Sequence, residues 1–258
     1  MMKKMLMVFM LIVLGVVGCS QQGISLESIE ENGALVVGLS ADYPPFESHK
    51  MIDGEDTLVG FDVMLAEEIA KELGVEVQFK EMDFDGLIGA LQSSQVDLVI
   101  SGMSPNPDRL EQADFSEYYY TGQNAVLVRK EDADKYKSVD DLKGIKLGTQ
   151  LGSIQTPIAE ELSDSVKQLK ATQDVVLELS NGNVEAIILG SEIASRYAEE
   201  FTNIVMSDAK LESAEAMAVA VPKGSEELVS KINEVINSLR TNGTLDEMLE
   251  EAIQLSIE

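Results

Sequence analysis

From residue 34 onward, short apolar runs alternate with longer segments whose apolar positions recur three and four residues apart. A short unbroken run marks a strand buried on both faces, and three-four spacing marks a helix with one buried face. Residues 35–39, LVVGL, predict the first strand, and 61–73 predict a helix with Val63, Leu65, Ala66, Ile69, Ala70 and Leu73 inward and Gly74 closing it. A strand over 75–79, a short helix over 85–92 and a strand over 96–100 complete a first unit. A second unit repeats the alternation, with strands at 125–128, 146–148, 166–169, 186–189 and 204–206 and helices at 139–142, 153–162, 174–180 and 192–201. A last strand at 217–221 precedes helices at 226–241 and 245–253. This order predicts the α/β class with a mostly parallel sheet. No Pro/Gly linker separates the units, so the chain is expected to cross between them more than once, leaving a cleft.

The N-terminus is of another kind. Lys3 and Lys4 precede an unbroken apolar run of 13 residues, 5–17, and then Gly18-Cys19-Ser20. The run is short of the ~20 residues that span a bilayer, so 1–18 reads as a cleaved secretory signal peptide and 19–30 as a polar tether. Cys19 is the only cysteine, which leaves no internal disulfide. Its setting resembles the lipobox of bacterial lipoproteins, with Val16 where leucine is usual, and that resemblance implies acylation of Cys19 and a lipid anchor in the membrane on the extracytoplasmic face. The chain carries 19 basic and 46 acidic residues, net −27, and losing Lys3 and Lys4 with the leader makes this −29. So acidic a surface excludes nucleic acid as a partner and stands off an anionic membrane.

Candidate chemistry concentrates in Ser101–Tyr120, SGMSPNPDRLEQADFSEYYY. Small residues follow the strand at 96–100, leaving backbone N–H groups open at its carboxyl end, and Arg109 follows them. A guanidinium fork suits a carboxylate ligand; an ordinary surface arginine after a Pro-Asn-Pro turn is the alternative. Elsewhere the chain is poor in catalytic patterns. His49 is the only histidine, on a polar stretch, and neither a Gly-x-Ser-x-Gly elbow nor a metal-spaced His/Cys set is present. Ser207-Asp208-Ala209-Lys210 reads as a chance match in so charged a chain, and Asp53-Gly54-Glu55-Asp56 lacks the spacing of a calcium loop. No metal and no cofactor is expected.

Several ordered motifs carry a resemblance. Asp42-Tyr43-Pro44-Pro45-Phe46-Glu47, Gly60-Phe61-Asp62-Val63, Met82-Asp83-Phe84-Asp85-Gly86-Leu87-Ile88-Gly89-Ala90-Leu91, the Ser101–Tyr120 segment, Gly148-Thr149-Gln150-Leu151-Gly152-Ser153 and Asn242-Gly243-Thr244-Leu245 stand in this order. Together they resemble the extracytoplasmic amino-acid-binding proteins of ABC importers, in their histidine- and glutamine-binding branch. The resemblance implies a two-lobed periplasmic-binding-protein-like (type II) fold with two hinge crossovers and a ligand cleft. The first lobe would take 24–122 plus 219–258 and the second 123–218, with crossings near 123–125 and 218–220. It implies a monomer that hands an amino acid to membrane permease subunits, without enzymatic activity.

The family's site carries over by position. Tyr43 and Phe84 would cover the ligand's side chain, while Gly102 and Ser104 would supply a carbonyl and a hydroxyl. Arg109 would clamp the α-carboxylate, helped by Gly152 and Ser153 in the second lobe. One position departs: the acid that meets the ligand's α-ammonium falls on Gly190. Glycine cannot neutralise a buried ammonium, so another carboxylate reaches in, Glu192 being nearest in sequence and Glu215 second, or the ligand lacks an ordinary α-ammonium, or binding is weak. The family position that meets a basic side chain falls on Ser40, which argues against a dibasic amino acid. A dehydratase-like enzyme on the same fold and a sensory or adhesive binding lipoprotein are the rival functions.

Overall fold

The computed structural model describes residues 23–257 except Ser213. The leader, Cys19 and the start of the tether lie outside the described residues. Leu26–Asn32, which begins inside the segment read as tether and runs past its end, forms a helix, because the Ser25 side chain accepts from Ser28 N–H at its start and Gly33 turns left-handed at its end.

Twelve strands follow among the described residues. They are β1 (Ala34–Leu39), β2 (Asp42–Tyr43), β3 (Glu47–Ile52), β4 (Glu55–Val59), β5 (Glu76–Glu81), β6 (Leu98–Val99), β7 (Ala113–Arg129), β8 (Leu147–Gln150), β9 (Val166–Leu169), β10 (Ala186–Gly190), β11 (Ile204–Met206) and β12 (Ala214–Pro222). β2, β3 and β4 form a small antiparallel sheet, and the others form one sheet in the order β5-β1-β6-β12-β7-β10-β8-β9, with β11 on β7. The outer pairs β1/β5 and β8/β9 are parallel, whereas β7 runs antiparallel to β12 and to β10.

The fold is the two-lobed periplasmic-binding-protein type, and β7 explains how the lobes join. Its first part pairs with β12 from Ala113↔Pro222 to Gln123↔Ala214, and from Asn124 it pairs with β10 instead. β12 is therefore already alongside β7 at Ala214, so both connecting strands run together where the lobes meet. Helices cover each lobe. Leu65 and Ile69 of the helix Phe61–Leu73 pack in one core with Leu35, Val37, Leu98 and Ile100, and Val126, Val128, Leu147 and Ile188 form a core in the other lobe. Full burial of such side chains stabilises by roughly 1.5–3 kcal/mol each.

Two glycines set the backbone at the junction. Gly60, at φ +135°, lets the helix Phe61–Leu73 start against Phe46, whose carbonyl oxygen lies 2.1 Å from where a Cβ would stand. Gly102, at φ +52°, turns the chain after β6 with the Tyr43 ring 3.1 Å from its would-be Cβ.

Candidate functional site

A cavity lies between the lobes, and Tyr43, Phe84, Gly102, Ser104, Arg109 and Ser153 line it. Arg109 reaches it from the short helix Pro107–Gln112, which starts because Asn106 accepts from Arg109 N–H and Pro107 sits where no N–H partner is needed. Its guanidinium donates to the Ser104 carbonyl at 2.5 Å and the Gly152 carbonyl at 2.8 Å, with its carbon 5.2 Å from the centre of the Phe84 ring. Arg109 is 7 % exposed, and burial lowers its pKa to about 10, so it keeps its charge at neutral pH. Among the described residues no carboxylate lies within ion-pair distance of it. A buried cation held only by neutral carbonyls and a ring face is ready for an anion. The Ser104 hydroxyl beside it is buried without a partner.

The expected helpers take specific places. Gly152, from the second lobe, spends its carbonyl on Arg109, and Ser153 N–H donates to the Gln150 carbonyl at 3.2 Å. Phe84 lies under the Arg109 guanidinium. The Tyr43 hydroxyl donates to Glu215 Oε1 at 3.1 Å and accepts from Gly190 N–H at 3.3 Å.

The Gly190 gap is filled in space by Glu215. A Cβ on Gly190 would lie 2.2 Å from Glu215 Oε2 and 2.8 Å from its carboxyl carbon. The carboxylate thus occupies the room a side chain at 190 would need, reaching it from β12. Gln155 also donates to Glu215 Oε1 at 3.5 Å, while Oε2 is buried without a partner. Burial pushes Glu215 up to about 7, against the lowering effect of its Tyr43 and Gln155 hydrogen bonds. Glu192 lies elsewhere: it begins the helix Ser191–Glu200, accepts from the Tyr120 hydroxyl at 3.4 Å, and lines a separate cleft with Arg196 and Glu199.

Sequence reasoning gave no role to Asp42, Glu47 or Gln155, all of which line the cavity with Ser40. Ser40 is no acid, but its hydroxyl donates to Asp42 Oδ1 at 3.1 Å. Glu47 is 1 % exposed and accepts from the Ser101 hydroxyl at 2.7 Å. Its place straight after Pro44-Pro45-Phe46, an acid entering a strand from a buried aromatic, was the available signal. Across the cleft mouth, Asp42 Oδ2 accepts from Thr172 N–H at 2.6 Å and Lys170 meets Asp83 at 2.6 Å. Those contacts, with Arg109 to Gly152, hold the lobes closed.

The model of the family described as bacterial extracellular solute-binding proteins, family 3, matches residues 35–254. The chain belongs to that family. It is 39 % identical to the arginine-binding extracellular protein ArtP of Bacillus subtilis over 256 residues, 96 % of either chain. Its fold superposes with TM-score 0.87 on the amino acid ABC transporter substrate-binding protein AbpA of Streptococcus pneumoniae, crystallised with L-arginine, at 38 % identity over 90 % of this chain and 99 % of that one. It is also similar, at 34 % identity and TM-score 0.81 over 88 % of this chain and 99 % of the other, to an ancestral amino-acid-binding protein that preceded cyclohexadienyl dehydratase. The family is extracellular, and among the described residues no helix is long and apolar enough to cross a membrane.

Proposed function

We propose that this chain is the solute-binding component of an amino-acid ABC importer and that its cavity takes a cationic amino acid, with L-arginine as the leading ligand. The observation that carries this reading is the charge layout of one buried cavity. Arg109 has no carboxylate partner, whereas Glu215 Oε2 and Glu47 Oε2 are buried acceptors without donors. A zwitterion with a positive side chain meets all three needs, its carboxylate on Arg109, its α-ammonium on Glu215 and its side-chain cation at Glu47. Phe84 and Tyr43 supply the ring faces beside it, and Ser104 and Ser153 the polar rim. The arginine named for similar proteins supports the same ligand. Ser40 does not stand against a dibasic ligand in this geometry, since Asp42 and Glu47 bring acids to that end of the cavity.

Function on this reading is capture and release without turnover. Lobes of 24–122 with 219–258 and of 123–218 close on the ligand about the crossings near 123–125 and 218–220, and the closed form is the one the permease recognises. Cys19 carries the acyl anchor that keeps the monomeric protein at the outer face of the membrane. Titration calorimetry of L-arginine on the mature chain tests the ligand reading. We expect one site, lost below detection in Arg109→Ala; arginine affinity unchanged in Arg109→Ala refutes the clamp, and absence of binding to the wild type refutes the ligand.

A further inference from the structure

Behind the cavity, two acids are anchored by consecutive residues. The Ser101 hydroxyl donates to Glu47 Oε1 at 2.7 Å, and Gly102 N–H donates to Asp62 Oδ2 at 2.6 Å. The Tyr119 hydroxyl adds a third donor, to Asp62 Oδ2 at 3.0 Å. The two acids meet because Gly60 lets the helix start against the strand entry: Phe61 N–H bonds the Pro45 carbonyl and Asp62 N–H the Phe46 carbonyl, at 3.1 and 2.9 Å. Both carboxyl groups are at most 1 % exposed, and the second oxygen of each, Glu47 Oε2 and Asp62 Oδ1, is buried with no donor.

Two anions cannot share such a place. Glu47 Oε2 and Asp62 Oδ1, buried without donors, can satisfy one another only when one of the two carboxyls holds a proton. Burial pushes Asp62 up to about 6, and burial with the Asp62 charge beside it pushes Glu47 well above the usual carboxylate range, so the pair keeps one proton between its two members. The surrounding groups enforce this. Asp42, Tyr43, Tyr119 and Glu215 all face the pair and are acidic or neutral. The cavity's cation, Arg109, is engaged by Ser104 and Gly152 instead, and among the described residues no cation is ion-paired to either acid.

We propose that the empty cavity stores one proton on the Glu47–Asp62 pair, and that a cationic ligand side chain displaces this proton to solvent while a neutral side chain leaves it in place. Binding of a cationic amino acid is then an exchange of one positive charge for another, at an acid that stays buried throughout. Its consequence is a pH-dependent choice of ligand. As pH falls, the stored proton competes with a guanidinium but not with a neutral amide, so preference for the cationic ligand narrows.

The proposal rests on the cationic-ligand reading above, and L-citrulline, the neutral isostere of arginine, separates the two. Glu215, at about 7, also releases protons on meeting an α-ammonium, but it does so equally for both ligands. Calorimetric titrations of the mature chain at pH 7, in buffers of different ionisation enthalpy, count protons for each ligand. We expect arginine to release about one proton more than citrulline. In Glu47→Gln, whose amide donates to Asp62 without titrating, we expect that excess to vanish and the arginine-to-citrulline affinity ratio to fall at least about tenfold. Where citrulline binds too weakly to titrate, wild type against Glu47→Gln with arginine gives the same subtraction, and Asp62→Asn replaces Glu47→Gln if the latter melts below the assay temperature. Equal proton release by arginine and citrulline, with arginine bound, overturns the exchange and leaves the ligand reading standing. No arginine binding overturns both.

Discussion

Glu215 is the acid whose carboxylate fills the room beside Gly190, its Oε2 standing 2.2 Å from where a Cβ at 190 would lie. In Glu215→Gln the size and the hydrogen bond from Tyr43 are kept and the charge is lost. Removing one member of a buried charge pair costs about 2–5 kcal/mol, which at 1.4 kcal/mol per decade weakens arginine roughly 30-fold to several thousand-fold. Gly190→Asp alone fails for a different reason, because its Cβ would lie 2.2 Å from Glu215 Oε2. The backbone at 190 is ordinary, φ −61°, so the cost is contact and like charge, roughly 1–3 kcal/mol of overpacking before repulsion is added. The double change Gly190→Asp with Glu215→Ala empties that space and returns an acid to it from the other strand. We expect it to recover arginine affinity to within about tenfold of wild type. Calorimetry reads affinity, and thermal melting of each variant without ligand separates lost binding from lost folding. Glu192→Gln, on its own helix beside Tyr120, serves as the control and should stay near wild type. Affinity within threefold of wild type in Glu215→Gln, or a larger loss in Glu192→Gln, would refute the assignment of the α-ammonium to Glu215.

Two further expectations concern the whole chain. Asp62 at about 6 and Glu215 at about 7 both hold protons more tightly folded than unfolded, so their contribution to stability is present at low pH and is lost as pH rises from about 4 through 7. Glu215 alone accounts for on the order of 3 kcal/mol, and the ligand-free protein should melt roughly 5 °C or more higher at pH 5 than at pH 8; a flat or inverted profile contradicts the buried-acid description. At the other end of the chain, mass spectrometry of the protein extracted from membranes should find a diacylglyceryl thioether on Cys19 as the first residue, and an unmodified thiol there would remove the anchor.

Much of this was legible before any coordinates. The runs at 35–39 and 186–189 and the three-four pattern of 61–73 returned as β1, β10 and Phe61–Leu73, because burial on one or both faces writes itself into spacing. What stayed hidden was polar or long-range. The hairpin of β3 and β4 is mostly solvated, so its alternation carries few apolar residues, and the Asp53-Gly54 turn, at φ +53° and +87°, was its one mark. β7 runs 17 residues through SEYYYTGQN, where Tyr118 is half exposed and Tyr119 buried. A strand flanked on both sides needs no apolar run to be held, since its partners supply the ladder.

The site divides the same way. Tyr43, Phe84, the stretch holding Gly102, Ser104 and Arg109, and Ser153 come from four segments yet line one cavity, and local motifs name them because each segment carries its own pattern. Glu215 could not be placed by spacing. Its relation to Gly190 depends on β12 lying beside β7, with Glu215 opposite Gly122, and on β10 pairing with β7 from the other side at Gly190↔Asn124. Sequence proximity favoured Glu192; strand pairing brings in the acid 25 residues further on. On the proposed reading, the acid expected at position 190 enters from β12 instead.

The most direct test is a crystal structure of the mature chain with L-arginine. We expect the α-carboxylate on Arg109 with the Ser104 hydroxyl beside it, the α-ammonium within hydrogen-bonding distance of Glu215 Oε2, and the guanidinium against Glu47. An arginine lying in the reverse sense, with its α-ammonium away from Glu215, or seated outside this cavity, would contradict this placement.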